Sequence, residues 1–255
     1  MSGTWFSEND SIKAVCVCKN REQNLLQSLP TWLKVDGLDE INIYDFCSDK
    51  PVYQSLSENR LLHPKVKVFQ SYKEDGFSLS KFLNVALSIT SADYILKLDT
   101  DYKIDRSFIK SHPIKSCFYT GDWRAAKDSN ESNLTGLLFA KKKDMVRVNG
   151  YNENIKTWGY EDEDLYNRMS KVWGLKRRVI NMDLAYHIPH TSEVRAIEGG
   201  IETYWSTVLW DDFGMYNLVR KNMDLSKKKP WRKNSVTTKG NAAPVVEGLY
   251  FFNYV

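Results

Sequence analysis

The first hundred residues alternate between short apolar runs and segments whose apolar positions recur at helical spacing. Strand-forming runs are each followed by a turn or a polar loop, and leucine-rich amphipathic segments come after the loops. The predicted strands cover residues 12–18, 41–46, 66–69 and 94–99, and the predicted helices cover 22–33, 52–59 and 79–89. Strands that alternate with helices in this way predict an α/β fold, with a mostly parallel Rossmann-like sheet flanked by helices.

The alternation fades towards the C-terminus. A last apolar strand is predicted at 179–186 and a short helix at 215–223, with a basic, proline-containing tail after it. We therefore expect one catalytic domain over residues 1–190. Residues 191–255 are expected to form an extension that packs on or next to that domain.

Composition narrows the classes of protein that need to be considered. The chain has 255 residues, of which 42% are hydrophobic, and its net charge of +4 comes from 36 basic and 32 acidic residues. Such a balance argues against a nucleic-acid partner. Apolar runs stay well below the ~18 residues that span a bilayer, and the four cysteines show no CxxC spacing. These features predict a soluble, cytoplasmic protein in a reducing compartment, without a transmembrane segment.

Two carboxylates follow the predicted strand at 94–99. Asp99 and Asp101 are spaced i, i+2, which on a strand puts both side chains on one face. Two oxygen ligands beside a loop suit a divalent metal that keeps free positions for phosphate oxygens. An Asp-Thr-Asp sequence is also typical of an ordinary turn or helix cap. The chain contains neither GxGxxG nor GxxxxGK[ST], so a dinucleotide site and a P-loop are not indicated.

A second polar cluster lies downstream. Residues 161–164 are all acidic and follow Trp158 and Gly159, while His187 and His190 come after the predicted strand at 179–186. Carboxylates at a helix N-terminus are stabilised by the helix dipole, which is one explanation of the acidity. A tryptophan beside carboxylates is also how proteins hold a sugar ring and deprotonate its hydroxyl. Either histidine could complete a metal site.

Residues 148–169 resemble the GG(F/Y)DE…WGxED.DL..R segment of metal-dependent GT-A glycosyltransferases, in particular the branch of the β-1,4-galactosyltransferases and chondroitin-polymerase-like domains. Residues 18–22 are similar to the F-R-N-R that follows the first strand of that family. Residues 44–49 resemble its V-D-x-G-S-x-D, and 78–84 its S-x-x-R/K-x-x-N helix. The chain departs from the family at Cys47, where glycine is common, and at Asn152, where aspartate is usual.

The resemblance implies a site for a nucleotide-sugar donor. Asp45 would contact the nucleobase, Arg21 and Lys81 would approach the diphosphate, and Asp99 would contact the ribose or a metal-bound water. The donor-binding residues implied in this way are Lys19, Arg21, Asp45, Lys81, Asn84 and Asp99.

The resemblance also implies a metal site and an acceptor site. Mn²⁺ or Mg²⁺ would be bound by Asp99, Asp101 and His187, with His190 as the alternative to His187. On the acceptor side, Asp162 would act as the base, Glu161 would hold the sugar and Trp158 would stack on it.

These features predict an inverting glycosyltransferase that moves a sugar from a nucleotide-sugar donor, most simply a UDP-sugar, to a hydroxyl of a carbohydrate acceptor. One alternative is a sugar-1-phosphate nucleotidyltransferase, which needs a glycine-rich loop after the first strand; residues 17–21 contain no glycine. The other is a glycan-binding domain on the same fold without turnover.

Overall fold

The structure is a computed structural model that describes residues 7, 10–71, 78–156, 158–171, 174–190, 212–232, 235 and 237–254. The strands of this part of the chain are β1 (Ile12–Cys18), β2 (Glu40–Phe46), β3 (Val66–Ser71), β4 (Tyr94–Lys97), β5 (Tyr102–Ile104), β6 (Cys117–Thr120), β7 (Leu138–Lys141), β8 (Lys176–Val179), β9 (Ala185–His187), β10 (Gly240–Val246) and β11 (Leu249–Tyr254). The helices are α1 (Glu22–Trp32), α2 (Val52–Glu58), α3 (Leu79–Ile89), α4 (Phe108–Ser111), α5 (Ser129–Ser132), α6 (Lys142–Arg147), α7 (Glu161–Ser170) and α8 (Asp212–Lys228). Short 3₁₀ turns cover Trp123–Ala125, Asn133–Gly136 and Met182–Leu184.

Nine of the described strands form one sheet in the order β10-β11-β3-β2-β1-β4-β7-β6-β8. The central strands β3, β2, β1 and β4 are parallel, because each is joined to the next strand of the chain by a helix. Their carboxyl ends share one edge of the sheet, where ligands bind in open α/β sheets. The prediction of a mostly parallel α/β sheet flanked by helices is confirmed.

The sheet also contains antiparallel pairs, which a simple doubly wound pattern does not include. β7 runs antiparallel to both β4 and β6, and β10 runs antiparallel to β11. β11 pairs with β3, so residues 240–254 extend the same sheet as the N-terminal strands. The division of the chain at residue 190 stays a prediction.

Two apolar clusters cover the two faces of the sheet. α1 places Leu25, Leu29 and Trp32 in the cluster that also contains Cys16 and Cys18 of β1. The cluster on the other face takes its apolar side chains from α3, the neighbouring residues of β1 and β2, and β11. Both thiols are buried on the same side of β1, and none of the four cysteines forms a disulfide.

Two predictions for the C-terminal half were wrong in detail. The strand expected at 179–186 is interrupted by a 3₁₀ turn, because the Asn181 side chain accepts a hydrogen bond from the Asp183 N–H and caps that turn. The helix expected at 215–223 is longer at both ends and spans Asp212–Lys228.

None of the helices in the described residues has the length and apolar character needed to cross a membrane.

Candidate active site

A two-stranded ribbon brings the aspartate after β4 next to the histidines from the end of the domain. β5 begins directly after Asp101 and pairs antiparallel with β9, so that Tyr102 lies opposite His187. The Ile188 N–H donates a hydrogen bond of 2.7 Å to the Asp101 carbonyl. This pairing brings the Asp101 main chain next to residues 187 and 188.

Asp101, His187 and His190 form a cluster whose ligand atoms all lie within 4.8 Å of one another. The Asp101 Oδ2 is 2.8 Å from Nε2 of His190 and 3.8 Å from Nε2 of His187. An Arg21 guanidinium nitrogen lies 3.2 Å from the same oxygen, so the pocket already accommodates positive charge. One carboxylate and two imidazoles are a suitable donor set for a first-row divalent cation. The structure thus brings together the predicted histidine and its alternative.

Asp99 does not join this cluster. The chain turns at Thr100 and Asp101, with the Tyr102 N–H donating to the Asp99 carbonyl, so the i, i+2 geometry of a strand is lost. The Asp99 side chain is 38% exposed and its Oδ1 lies 2.9 Å from Nζ of Lys97. Asp99 therefore lies outside the group formed by Asp101, His187 and His190, and its contact with a metal or with the donor stays a prediction.

Lys97 is the residue that sequence reasoning missed. Its side chain is only 2% exposed, and its Nζ lies 2.9 Å from Asp99 and 3.4 Å from Asp162. Burial by itself would lower the pKa of Lys97, but the nearby Asp162 and Asp99 carboxylates outweigh it and raise the pKa above its ordinary value. The ammonium group is thus charged. A lysine in an otherwise apolar strand that leads into the aspartates was the available signal.

The acidic residues 161–164 form the first turn of α7, and the turn that precedes them has an unusual backbone conformation. Gly159 and Tyr160 both have left-handed backbone conformations, with φ of +95° and +77°. Tyr160 occupies the N-cap position and no side chain makes a capping hydrogen bond there. The helix-cap explanation of the four carboxylates is therefore not supported by the geometry, although the helix dipole still favours them.

The first two carboxylates of the cluster are the buried Glu161 and the half-buried Asp162, and Asp162 is the one in contact with Lys97. Burial raises the pKa of Glu161 to about 8, with the Asp162 charge adding to the effect. Burial also raises the pKa of Asp162, to about 6, because the Lys97 charge only partly opposes it. Glu161 Oε2 and Asp162 Oδ1 have no hydrogen-bond partner among the described residues. They are polar atoms at which a substrate hydroxyl could bind.

The last two carboxylates of the cluster, Glu163 and Asp164, form ion pairs and hydrogen bonds within the protein. Glu163 forms a bidentate ion pair with Arg177 at 2.8 and 2.9 Å. Asp164 accepts from Arg168 at 2.8 Å and from the Ser226 hydroxyl at 2.7 Å. The cluster is thus divided between charges that hold α7 in place and charges that face the site.

α8 supports the loop before α7. Asn222 donates to the carbonyls of Trp158 and Gly159, at 3.1 and 2.8 Å. A Cβ on Gly159 would lie 2.8 Å from Val219 Cγ2, so the loop and the helix are in close contact. Trp158 is half-buried in the loop before α7, and its stacking role stays a prediction.

Comparisons with known proteins match a segment of the sequence and the overall fold. The family model for the N-terminal domain of galactosyltransferase matches residues 122–191, a range that includes α7, His187 and His190. The chain is a glycosyltransferase with the GT-A fold. A search of curated protein sequences finds no match.

Solved structures show the same fold over most of the chain. The Drosophila β1,4-galactosyltransferase 7, in complex with manganese, UDP-Gal and xylobiose, is 15% identical with a TM-score of 0.60, covering 96% of this chain and 94% of that one. Staphylococcus aureus TarS (residues 1–349) is 15% identical with a TM-score of 0.53, covering 86% and 72%. The mannosyltransferase PcManGT from Pyrobaculum calidifontis, in complex with GDP-Man and Mn²⁺, is 13% identical with a TM-score of 0.54, covering 68% and 55%.

Asp45 forms hydrogen bonds within the glycosyltransferase. It is fully buried, and its two oxygens accept from the Ser48 and Val52 N–H groups at 3.0 and 2.9 Å. Asp45 thus holds the loop between β2 and α2, and its contact with the nucleobase stays a prediction. In that loop Cys47 has a φ of +58°, a left-handed conformation that explains why relatives prefer glycine there.

Asn84 is likewise engaged within the transferase. Its Nδ2 donates to the Tyr151 carbonyl and to Glu153 Oε1, at 3.0 and 2.8 Å, and its Oδ1 accepts from the Tyr151 N–H. These hydrogen bonds anchor the segment that precedes Trp158, and the donor contact of Asn84 stays a prediction. The Lys81 Nζ lies 4.7 Å from the centre of the Tyr254 ring.

The β1–α1 loop lies at the carboxyl edge of the sheet of the transferase. Lys19 is half-buried in this loop. The loop is tied to its neighbour because Asn20 donates to Asp49 and the Asn20 N–H donates to the Ser48 hydroxyl. Arg21 follows in the chain and pairs with Asp101. Donor binding by Lys19, Arg21 and Lys81 stays a prediction.

Proposed function

We propose that the protein transfers a sugar from a UDP-sugar donor to a hydroxyl of a carbohydrate acceptor, with inversion at the anomeric carbon. The observation that carries this proposal is the pair of neighbouring acidic groups, the buried Glu161 and the half-buried Asp162, of which Asp162 lies 3.4 Å from the buried Lys97 ammonium at the end of β4. A buried carboxylate with a raised pKa is the type of group that acts as a general base near neutral pH.

The donor would be held with a divalent cation. Asp101, His187 and His190 would bind Mn²⁺, whose charge would stabilise the diphosphate as a leaving group. Support comes from the chemistry of the three ligands and from the manganese in the Drosophila and Pyrobaculum complexes. Arg21 forms an ion pair with the Asp101 carboxylate. When a cation binds that carboxylate instead, the Arg21 side chain can turn towards the phosphates.

Asp162 would remove the proton from the acceptor hydroxyl. Its pKa of about 6 leaves it ionised at neutral pH, and the ammonium of Lys97 holds one of its oxygens in place while the other is available. Glu161, whose pKa is raised to about 8, is protonated at the same pH and can donate to an acceptor oxygen. The two neighbouring residues therefore differ in protonation state, which lets one accept a proton and the other donate a hydrogen bond.

A single displacement follows from this arrangement. The acceptor oxygen, deprotonated by Asp162, attacks the anomeric carbon as the bond to the diphosphate breaks, so the configuration inverts. The half-buried Trp158 beside these carboxylates offers a flat apolar surface for the acceptor ring. Xylobiose in the Drosophila complex supports a carbohydrate acceptor.

The experiment is a donor screen followed by product analysis. Purified protein with Mn²⁺ is incubated with UDP- and GDP-sugars, with and without oligosaccharides, and release of nucleoside diphosphate is measured. We expect release from one or more UDP-sugars, stimulation by an acceptor, and a product whose anomeric proton coupling in ¹H NMR shows inversion.

Asp101→Ala is the matched negative control in this screen. Pyrophosphate formation from a sugar 1-phosphate and UTP would indicate a nucleotidyltransferase instead. Glycan binding without any turnover would indicate a binding domain.

A further inference from the structure

Trp123 is an exposed tryptophan that the catalytic proposal does not use. It begins the 3₁₀ turn Trp123–Ala125 directly after β6, and 59% of its surface is exposed. The exposed indole presents a flat apolar surface with a polar N–H at one edge, which is available to a ligand.

The loop that carries Trp123 leaves the sheet at the same edge as the catalytic residues. Thr120 at the end of β6 is level with Leu138 of β7, which in turn is level with Lys97 of β4. Residues 121–125 therefore follow β6 at the level where Asp99 follows β4.

Backbone packing fixes this loop against the donor side of the site. A Cβ on Gly121 would collide with the carbonyl of Leu134, so the two segments touch through their main chains. Leu134 belongs to the 3₁₀ turn Asn133–Gly136, and at the end of that turn a Cβ on Gly136 would lie 2.5 Å from Asp99 Oδ2. The turn at 133–136 thus contacts Gly121 of the Trp123 loop on one side and Asp99 on the other.

Two arginines fix the loop to the helix that carries the base. Arg177 donates to the Gly121 carbonyl at 3.2 Å while it pairs with Glu163, the residue after Asp162. Arg124 lies 3.7 Å from the same Glu163 and is held by Asp122, whose Oδ1 also accepts from the Arg124 N–H at 3.0 Å. Trp123 is therefore exposed on a rigid loop beside the first turn of α7.

We propose that Trp123 is a second sugar-binding surface, which stacks on the acceptor residue adjacent to the sugar that reacts. This inference rests on the proposed function and specifies its substrate, because it makes the acceptor an oligosaccharide of at least two units. Trp158 would stack on the reacting sugar and Trp123 on its neighbour. Indole rings bind the apolar faces of sugars, and the Arg124 guanidinium, 5.8 Å from the Trp123 ring, supplies donors to hydroxyl groups.

The test compares binding of disaccharides and monosaccharides. Protein saturated with Mn²⁺ and UDP is titrated with xylobiose, cellobiose and lactose, and with xylose, glucose and galactose, by saturation-transfer NMR. We expect wild-type protein to bind at least one disaccharide about fivefold more tightly than its monosaccharides, which is the scale of one aromatic contact. Trp123→Ala should abolish this preference without changing monosaccharide binding, and Trp123→Phe should retain most of it.

Leu62→Ala is the matched control, because Leu62 is an exposed apolar residue that precedes β3 at the opposite edge of the sheet. Hydrolysis of the donor without acceptor should be unchanged in all variants. The inference is overturned if wild-type protein shows no preference for any disaccharide, if Trp123→Ala keeps the preference, or if that variant weakens both sugar sizes equally. Failure of the proposed function is seen separately, as absence of donor hydrolysis in wild-type protein.

Discussion

The ammonium group of Lys97 lies 3.4 Å from the carboxylate of Asp162, although the two residues come from different halves of the domain. Lys97 ends the strand that leads to the donor site, and Asp162 lies in the first turn of the helix on the acceptor side. The same ammonium lies 2.9 Å from Asp99. One buried cation therefore links the carboxylate expected to contact the donor with the carboxylate proposed as the base.

The pH dependence of transfer should shift when this cation is removed. Transfer requires ionised Asp162, so the rate of the wild-type enzyme should fall as the pH is lowered through about 6. Removing a neighbouring positive charge raises the pKa of a carboxylate, and the acidic limb of the profile for Lys97→Met should therefore move to higher pH. Lys97→Arg should restore much of the wild-type profile. The profiles are measured as kcat against pH at saturating donor and acceptor.

Lys13→Met provides the matched control for this shift. Lys13 pairs with Glu40 at 2.8 Å on neighbouring strands and lies far from the carboxyl edge of the sheet. Its replacement should leave the pH profile unchanged. If Lys97→Met had the same acidic limb as wild-type protein, Lys97 would have no influence on the base.

Asp162→Asn should lower transfer by about 10²-fold or more, the usual scale for losing a positioned general base. Binding of UDP and Mn²⁺ should be nearly unchanged, since Asp162 is not part of the cluster formed by Asp101 and the histidines. Asparagine has the same shape, so unfolding temperature should change little. Transfer kinetics and thermal unfolding are measured on one preparation.

Glu163→Gln removes a charge from the same helical turn and should affect transfer much less. Glu163 is paired with Arg177 and lies outside the pocket of Lys97. Near wild-type turnover by a folded Asp162→Asn protein would mean that Asp162 is not the base.

The sequence was sufficient to predict the central sheet because its signals there are local. The strands and helices up to residue 99 follow from apolar periodicity, and the aspartates after β4 follow from their place at a strand end. The pairing of Tyr102 with His187 is a contact between distant segments, and periodicity carries no information about it. The β5–β9 pair nevertheless determines which histidines lie next to Asp101.

Roles were harder to predict than positions. Asp45 and Asn84 lie where sequence reasoning placed them, but both use their polar atoms for internal hydrogen bonds. A motif does not reveal whether a carboxylate faces a ligand or a loop. The burial of Lys97 and the contacts of α8 depend on tertiary packing in the same way, which overrides local pattern.

Metal-dependent binding of UDP should require the whole cluster. Asp101→Ala should abolish the effect of Mn²⁺ on UDP affinity, because the variant loses the carboxylate that both imidazoles approach. His187→Ala and His190→Ala should each weaken Mn²⁺ binding by about tenfold or more, on the scale of losing one ligand. Calorimetry with Mn²⁺ and with EDTA measures these effects.

His63→Ala serves as the control for the histidine variants, since His63 is exposed and lies outside the cluster. A larger loss at His190 than at His187 would make His190 the principal ligand. Equal UDP affinity with Mn²⁺ and with EDTA in wild-type protein would exclude the proposed metal site.

α8 should be required for transfer and not for donor binding. Asn222 is buried, and its amide donates to the carbonyls of Trp158 and Gly159, so Asn222→Ala leaves two main-chain acceptors without this donor. Losing the partner of a buried polar group costs about 1–3 kcal/mol, which is enough to let the loop leave its left-handed conformation. Because that loop positions Trp158 and the start of α7, the acceptor side should be affected first.

We therefore expect Asn222→Ala to raise KM for the acceptor and lower kcat by about tenfold, with calorimetric UDP affinity and Mn²⁺ dependence unchanged. Lys221→Ala is the control, because the neighbouring side chain is exposed on the same helix and should alter neither quantity. A loss of UDP affinity that matches the loss of transfer would show that the variant disturbs the whole fold. Unchanged acceptor kinetics in a stable variant would mean that α8 packs against the loop without positioning it, and the segment after residue 190 would then have no part in catalysis through this contact.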